Sequence, residues 1–219
     1  MRRELTTSLI AVVVLTLLLG LVYPLVMTGV SQVAFPGRAN GSLITNKGKV
    51  VGSRLIAQPF AKPVIGKNGK PKQDSSGKPV LAPDPAYFQE RPSTATQYNA
   101  AASSFTNLGP NSTDARDTFK ANLDAYLNLE RPYDPSLTAA QVPIDAVTSS
   151  ASGVDPQISP ANADIQAHRI AAVRHLPMSE VMKLINNNTD TRFIGLLGEP
   201  GVNVLELNLA LDRLTGGQR

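Results

Sequence analysis

Cysteine is absent from all 219 residues, which excludes disulfides, thiolate metal sites and cysteine nucleophiles. Tryptophan is absent as well, and two histidines cannot build a histidine-rich metal site. Charge is scarce at 17%, against about a quarter in ordinary soluble domains. The formal net charge of +4 is also local. Lys62, Lys67, Lys70, Lys72 and Lys78 stand against the single acid Asp74 between Lys62 and Pro79, so this window carries the whole surplus. Nucleic-acid binding wants basic residues spread over a face and interleaved with stacking aromatics. Aromatics are only 5% and do not mix with these lysines, which argues against a nucleic-acid partner. A hydrophobic share of 42% excludes global disorder. The length suits one domain of ordinary size plus an additional segment.

That additional segment opens the chain. No residue from Leu5 to Phe35 is charged, and the next charge after Glu4 is Arg38. The apolar heart, Leu9–Val30, has 22 residues. As a helix it covers about 33 Å at about 1.5 Å per residue, enough for a hydrocarbon core of roughly 30 Å. A cleaved signal peptide has a shorter apolar run of about 7–15 residues followed by small residues. Here Gly20 is followed by Leu21, Val22, Tyr23 and Pro24, and Gly29 with Ser31 is a marginal site. The run favours an uncleaved transmembrane helix at 9–30 behind a leader of residues 1–8. Basic residues flank it almost evenly, so the charge-bias rule discriminates little. Arg2, Arg3 and the terminal amine nevertheless resist translocation. This puts the leader in the cytoplasm and residues 38–219 outside it, in a single-pass protein of the plasma (inner) membrane. Pro24 deletes a backbone hydrogen bond inside the span and should kink it. Such a kink either docks on other membrane helices or is tolerated near the outer end.

The remainder reads as α+β. Leu43, Val50, Val51, Leu55 and Ile56 are the apolar points of strands around the turn Asn46-Lys47-Gly48. Residues 61–85 form an exposed basic loop insertion, with a small hairpin available around Asn68-Gly69. Ser112 or Asn111 caps a helix to about Leu129, with Phe119, Leu123, Tyr126 and Leu127 on one face. Residues 143–148 read as a short strand. Ser159-Pro160 starts a helix running to about His175, and Pro177 opens another to about Ile185. Phe193–Leu197 reads as a strand. Asn203 with Glu206 is a capping-box pattern for a last helix to about Leu214. No internal repeat is visible.

Catalytic constellations are thin. His168 and His175 lie two turns apart, about 10.5 Å along a helix, too far to share one ion whose ligands sit about 2 Å away. Ser149, Ser150 and Ser152 stand near Asp145 and Asp155, but the Gly-x-Ser-x-Gly elbow is missing. A membrane-anchored extracytoplasmic hydrolase is therefore the alternative reading, without a visible catalytic cluster. Leu214-Thr215-Gly216-Gly217-Gln218 is similar to an ABC-ATPase signature, yet only Arg219 follows, and no phosphate-cradling Gly-x-x-x-x-Gly-Lys loop exists. It reads as a tail.

Taken as a set, other stretches resemble the C subunit of the Kdp potassium-transporting ATPase. They are Tyr23-Pro24-Leu25; Gly52-Ser53 with Leu55-Ile56, Gln58 and Phe60; Tyr87-Phe88 with Arg91-Pro92-Ser93; Tyr98-Asn99; and Asn107-Leu108-Gly109-Pro110. Further on come Asp145, Val147-Thr148, Ser150-Ala151-Ser152-Gly153, Asp155-Pro156 and Ile158-Ser159-Pro160. Last are Gln166, Arg169, Gly198-Glu199-Pro200, Val202-Asn203-Val204-Leu205, Leu207-Asn208 and Ala210-Leu211. The match runs through nearly the whole chain in the family's order. Three departures stand out: the long basic loop 61–85, Gln157 where histidine is usual, and Gly201 where arginine is usual.

The resemblance implies a non-catalytic accessory subunit of a high-affinity, ATP-driven potassium uptake complex. Its partners would be a channel-like potassium-binding subunit, a P-type ATPase catalytic subunit, a small single-span subunit and the bilayer. Potassium would be the transported ion. ATP association, as a chaperone raising the ATPase subunit's affinity for ATP, is likewise implied only by the resemblance. No covalent cofactor and no metal are expected. The assembly and structural residues implied are Pro24, Gly52, Ser53, Arg91, Pro92, Tyr98, Asn99, Gly109, Ser152, Gly153, Asp155, Pro156, Gln166, Arg169, Glu199, Asn203 and Asn208.

Overall fold

A computed structural model describes residues 2–93, 101, 103–192 and 194–216. The chain divides into two compact units, Met1–Ser53 and Arg54–Arg219.

The first unit begins with helix α1 (Arg2–Leu17), a π-helical turn (Leu18–Val22) and α2 (Tyr23–Ala34). They form one 33-residue helix with a mean hydropathy of 2.8 in its most apolar window, long and apolar enough to cross a membrane. The wide turn has a local cause. Tyr23 N–H reaches back to Leu18 O, and Pro24, which follows, has no N–H to give. Opening the ladder by one residue just before proline is how a helix accommodates that loss. A short α3 (Pro36–Ala39) leads into the hairpin of β1 (Leu43–Asn46) and β2 (Lys49–Ser53). Lys47 and Gly48 take φ of 48° and 77°, the left-handed pair that a two-residue hairpin turn needs. Ser53 closes the unit by donating its hydroxyl to Gly41 O at 2.7 Å.

The second unit carries the core. Strands β3 (Ala61–Pro63) and β4 (Leu81–Pro83) pair antiparallel at the root of a basic finger. Inside it lies an eight-residue repeat absent from the sequence reading: Lys62-Pro63-Val64, Lys70-Pro71-Lys72 and Lys78-Pro79-Val80. Val64 N–H donates to Val80 O, Val80 N–H to Lys72 O, and Lys72 N–H to Val64 O, each at 2.8 Å. The three segments thus close a ring of backbone hydrogen bonds. Turns at Gly69 and Gly77, both at positive φ, join them. Proline spends no ladder donor, so its recurrence beside each ring residue is tolerated.

After the finger come α4 (Thr113–Glu130), β5 (Gln157–Ile158), α5 (Pro160–Arg174), α6 (Met178–Asn187), β6 (Thr189–Asp190), β7 (Gly201–Asn203) and α7 (Val204–Leu214). The short sheet is antiparallel in the order β5-β7-β6. Ile158, Ile170, Val181, Ile185, Val202, Leu207 and Leu211 are buried between the sheet and α5–α7. The helix starts fall where capping chemistry places them. Ser112, Ser159 and Asn203 each accept an amide N–H three residues on.

Two expected strands are turns. Residues 144–146 form a 3-10 turn that aims Asp145 at the start of α5. Its carboxylate accepts from Ser159 N–H at 2.8 Å, Ser159 hydroxyl at 2.8 Å and Asn162 amide at 3.1 Å, where a helix N-terminus favours an anion. Of the expected strand Phe193–Leu197, Phe193 lies outside the described residues, 194–196 are turn and Leu197 makes only an isolated bridge. Ile194, Gly195 and Gly198 all have positive φ, which breaks any strand, and Ile194, Leu196 and Leu197 stand exposed. On α4, Leu127 is buried as expected, but Phe119 is 40% exposed at the far end of the predicted face.

Candidate functional site

Residues 85–89 cross the second unit as a segment outside any sheet, with a turn at Pro85–Ala86 closed by Tyr87 N–H on Asp84 O at 3.1 Å, followed by irregular backbone. Its backbone polar groups still require partners once buried. Side chains supply them. Asn208 of α7 holds both sides of Phe88, accepting its N–H and donating to its O, each at 2.9 Å. Gln166 of α5 does the same for Gln89, accepting at 2.7 Å and donating at 3.1 Å. Arg169 donates to Pro85 O at 2.6 Å and Tyr87 O at 2.8 Å. Arg174 donates to Ala86 O at 2.8 Å. Amides and guanidinium groups on two helices stand in for a neighbouring strand. This arrangement explains why those residue types occur on otherwise apolar faces beside a Tyr-Phe pair.

Arg169 is the hub. It is fully buried, and Glu130 of α4 grips its Nε with both oxygens at 3.0 and 3.1 Å. Its remaining donor reaches Gln166 at 2.9 Å. Burial raises the Glu130 carboxyl above its ordinary range, and the Arg169 charge opposes that rise. Gln166 also donates to Asn162, which accepts from Tyr126 hydroxyl at 2.8 Å. Burial, with Glu130 nearby, lifts the Tyr126 hydroxyl far above its usual value and keeps it a donor. A second buried pair, Arg174–Asp212 at 2.9 Å, packs against Tyr87. The guanidinium lies 4.6 Å from that ring's centre, and burial with the Asp212 charge raises the Tyr87 hydroxyl.

The serine-rich turn is a joint. Arg91 donates to Ser149 O at 3.1 Å and stands 3.7 Å from Asp155. Ser152 hydroxyl accepts from Val154 N–H at 3.2 Å and faces Ser150 at 3.3 Å. Gly153 has a φ of 71°, a conformation glycine adopts at no steric cost, and its carbonyl accepts from Ser93 hydroxyl. Pro156 O takes Val204 N–H at 3.0 Å, tying the turn to α7. A hydrolase finds no support here, because the Ser152 hydroxyl is engaged in shaping the turn.

Other expected residues lie apart from this network. Pro24 is in the apolar helix, Gly52 and Ser53 are in β2, and exposed Gly109 turns the chain into Ser112. Pro92 follows the segment 85–89. Glu199 is exposed and pairs with Arg192 at 2.8 Å across the apolar turn. Asn203 caps α7 and donates to Arg54 O at 2.8 Å. Tyr98 and Asn99 lie outside the described residues. The sequence reading missed Gln89, Glu130, Arg174 and Asp212. Glu130 had a signal, lying three residues past buried Leu127 on the same helical face.

Two of the departures noted in the sequence meet in space. A Cβ on Gly201 would lie 2.8 Å from Gln157 Oε1. The small residue leaves room for the Gln157 amide, which donates to Asp190 at 3.0 Å. Gly201→Arg should therefore displace Gln157 and cost about 1 kcal/mol, one net hydrogen bond. In a Gln157→Ala background that cost should vanish. Denaturant unfolding of the four-member cycle measures it, and equal costs in both backgrounds would refute the coupling.

The chain thus combines one helix long and apolar enough to cross a membrane with a small α+β unit whose core is fixed by buried polar cross-links. The family model for KdpC, described as the K+-transporting ATPase c chain, matches residues 5–213. The potassium-transporting ATPase KdpC subunit of Bradyrhizobium diazoefficiens is 45% identical over 97% of this chain and 98% of its own length. That of Rhodopseudomonas palustris is 46% identical over 98% and 99%, and that of Streptomyces avermitilis 42% over 97% and 94%. The chain belongs to the KdpC family and is a membrane subunit of a potassium-transporting ATPase.

Proposed function

We propose that the chain is a non-catalytic accessory subunit that holds an ATP-driven potassium uptake complex together. The observation carrying this reading is the fully satisfied polar scaffold around residues 85–89, whose donors and acceptors fix internal structure and are not aimed into a cleft. Its partners are a channel-like potassium-binding subunit, a P-type ATPase subunit and a small single-span subunit. Arg2 and Arg3 keep the amino end in the cytoplasm, and residues 38–219 lie outside the plasma membrane. Nucleotide is cytoplasmic, so a chaperone effect on ATP affinity passes through the assembled complex and not through ATP bound here.

Two measurements test this together. A tag on the carboxyl end should bring down large membrane partners, with potassium-stimulated ATPase activity, from detergent extracts. A Ser75→Cys variant in intact cells lacking an outer barrier should react with an impermeant thiol reagent. Recovery of the chain alone would sink the subunit role. Labelling only after lysis would reverse the orientation and favour direct nucleotide contact.

A further inference from the structure

Glu90 follows the cross-linked segment directly, yet takes no part in its network. Its side chain is buried, with the residue only 9% exposed, and neither carboxyl oxygen meets a donor in good hydrogen-bond geometry among the described residues; the backbone donor that acts on it is Gln58 N–H. Such a group is costly unless neutral or paired. It borders a pocket of about 230 Å³ at the root of the basic finger, walled by Pro59, Phe60, Leu81 and Pro83. Gln89, on the same wall, has its amide engaged with Phe60 O, Asp84 O and Tyr87 O. The pocket is thus apolar apart from this engaged amide and one acid without a counter-cation.

The basic residues on these same segments are engaged elsewhere. Lys62 lies 3.5 Å from Asp84, and Arg91 is held by Thr148, Ser149 and Asp155. The charged group that acts on Glu90 is Asp155, another acid. These neighbouring charges offset one another in pairs, so neither Lys62 nor Arg91 serves as a counter-cation for Glu90.

We propose that this pocket receives a basic side chain of a neighbouring polypeptide in the transport complex, its alkyl stem against Phe60, Leu81 and Pro83 and its charged head on Glu90. Lysine and arginine combine such a stem with such a head, whereas an apolar guest would leave the acid unpartnered. Meeting the head requires the Glu90 side chain to change rotamer about its inner torsions, after which the broad terminal torsion aligns the carboxyl plane. Burial and the Asp155 charge raise the free Glu90 carboxyl well above its ordinary range, and the Gln58 N–H opposes them only in part. Seating the cation ionises Glu90 and releases its proton to solvent. Docking therefore tightens as pH rises, by up to about tenfold per unit while the free acid is protonated.

This inference rests on the subunit reading above. The test uses the full chain, tagged at its carboxyl end, in detergent-solubilised complex washed from pH 6 to 9 at constant ionic strength. Wild type should retain its partners better as pH rises. Glu90→Gln, which mimics the neutral acid and should fold at least as well, should lose that slope and bind more weakly at the alkaline end. Glu90→Leu should be as weak or weaker. An unchanged slope in Glu90→Gln would overturn the proposal while leaving the subunit reading intact. So would retention by Glu90→Leu equal to or above wild type, which identifies an apolar guest. Wild-type chain recovered without partners at every pH would overturn both.

Discussion

Arg169→Met should cost the second unit about 3–5 kcal/mol, the range seen when one partner of a buried ion pair is removed. Two losses combine. Glu130 is left as a buried carboxylate without its cation, and the carbonyls of Pro85 and Tyr87 lose their donor. The first loss can be relieved by a proton. Without Arg169 the Glu130 carboxyl rises further, so the variant should be least handicapped in acid. Adding Glu130→Met should recover the charge part but not the carbonyl part. Denaturant unfolding of the full chain in detergent, at pH 5 and pH 8, separates the two. A loss below about 1 kcal/mol would mean that water replaces the guanidinium freely and that the hub is no hub.

The second large effect is a pH dependence centred on Glu90. In the unfolded chain its carboxyl ionises near the ordinary value of 4.5, whereas in the folded chain it holds its proton to well above that. Below the ordinary value both states are protonated and nothing changes. Above it, the folded state binds the extra proton, so stability falls with rising pH, by up to about 1.4 kcal/mol per unit. The fall ends once the folded carboxyl ionises too. Glu90→Gln should remove this slope, leaving a protein as stable as wild type in acid and more stable at pH 8. Parallel wild-type and Glu90→Gln curves from pH 4 to 9 would show that the folded acid is ionised and partnered.

What the sequence made legible was local chemistry. Ser112, Ser159 and Asn203 announce helix starts because a cap acts within three residues, and Pro24 announces a disturbed helix because the missing N–H is its own. The segment 194–197 looked like a strand because its side chains are apolar. Its backbone is set by Gly195 and Gly198, and nothing in an apolar run says which way it faces. The finger's period escaped because Lys72 replaces the valine of the other two repeats. Glu90 and the partners of residues 85–89 escaped for a different reason. The partners on α5 and α7 meet their segment across 77 to 125 positions in the chain, and Glu90 is acted on by Gln58 and Asp155 from other segments; no spacing rule encodes either. The resemblance pointed to Gln166, Arg169 and Asn208, but only the fold shows that they grip the one segment 85–89 between them.

The finger's ends matter beyond the finger. Ala61 pairs with Pro83, and just below them Asp84 N–H reaches Phe60 O at 2.9 Å. The chain therefore leaves and re-enters the unit at adjacent points. Everything between them is held by its own ring of backbone bonds. Loop-closure cost grows only slowly with length, so the unit is nearly indifferent to how much chain is looped out here. The appendage can be lengthened or shortened beyond its root without disturbing the core beneath it. Selection can therefore tune its lysines independently of the fold.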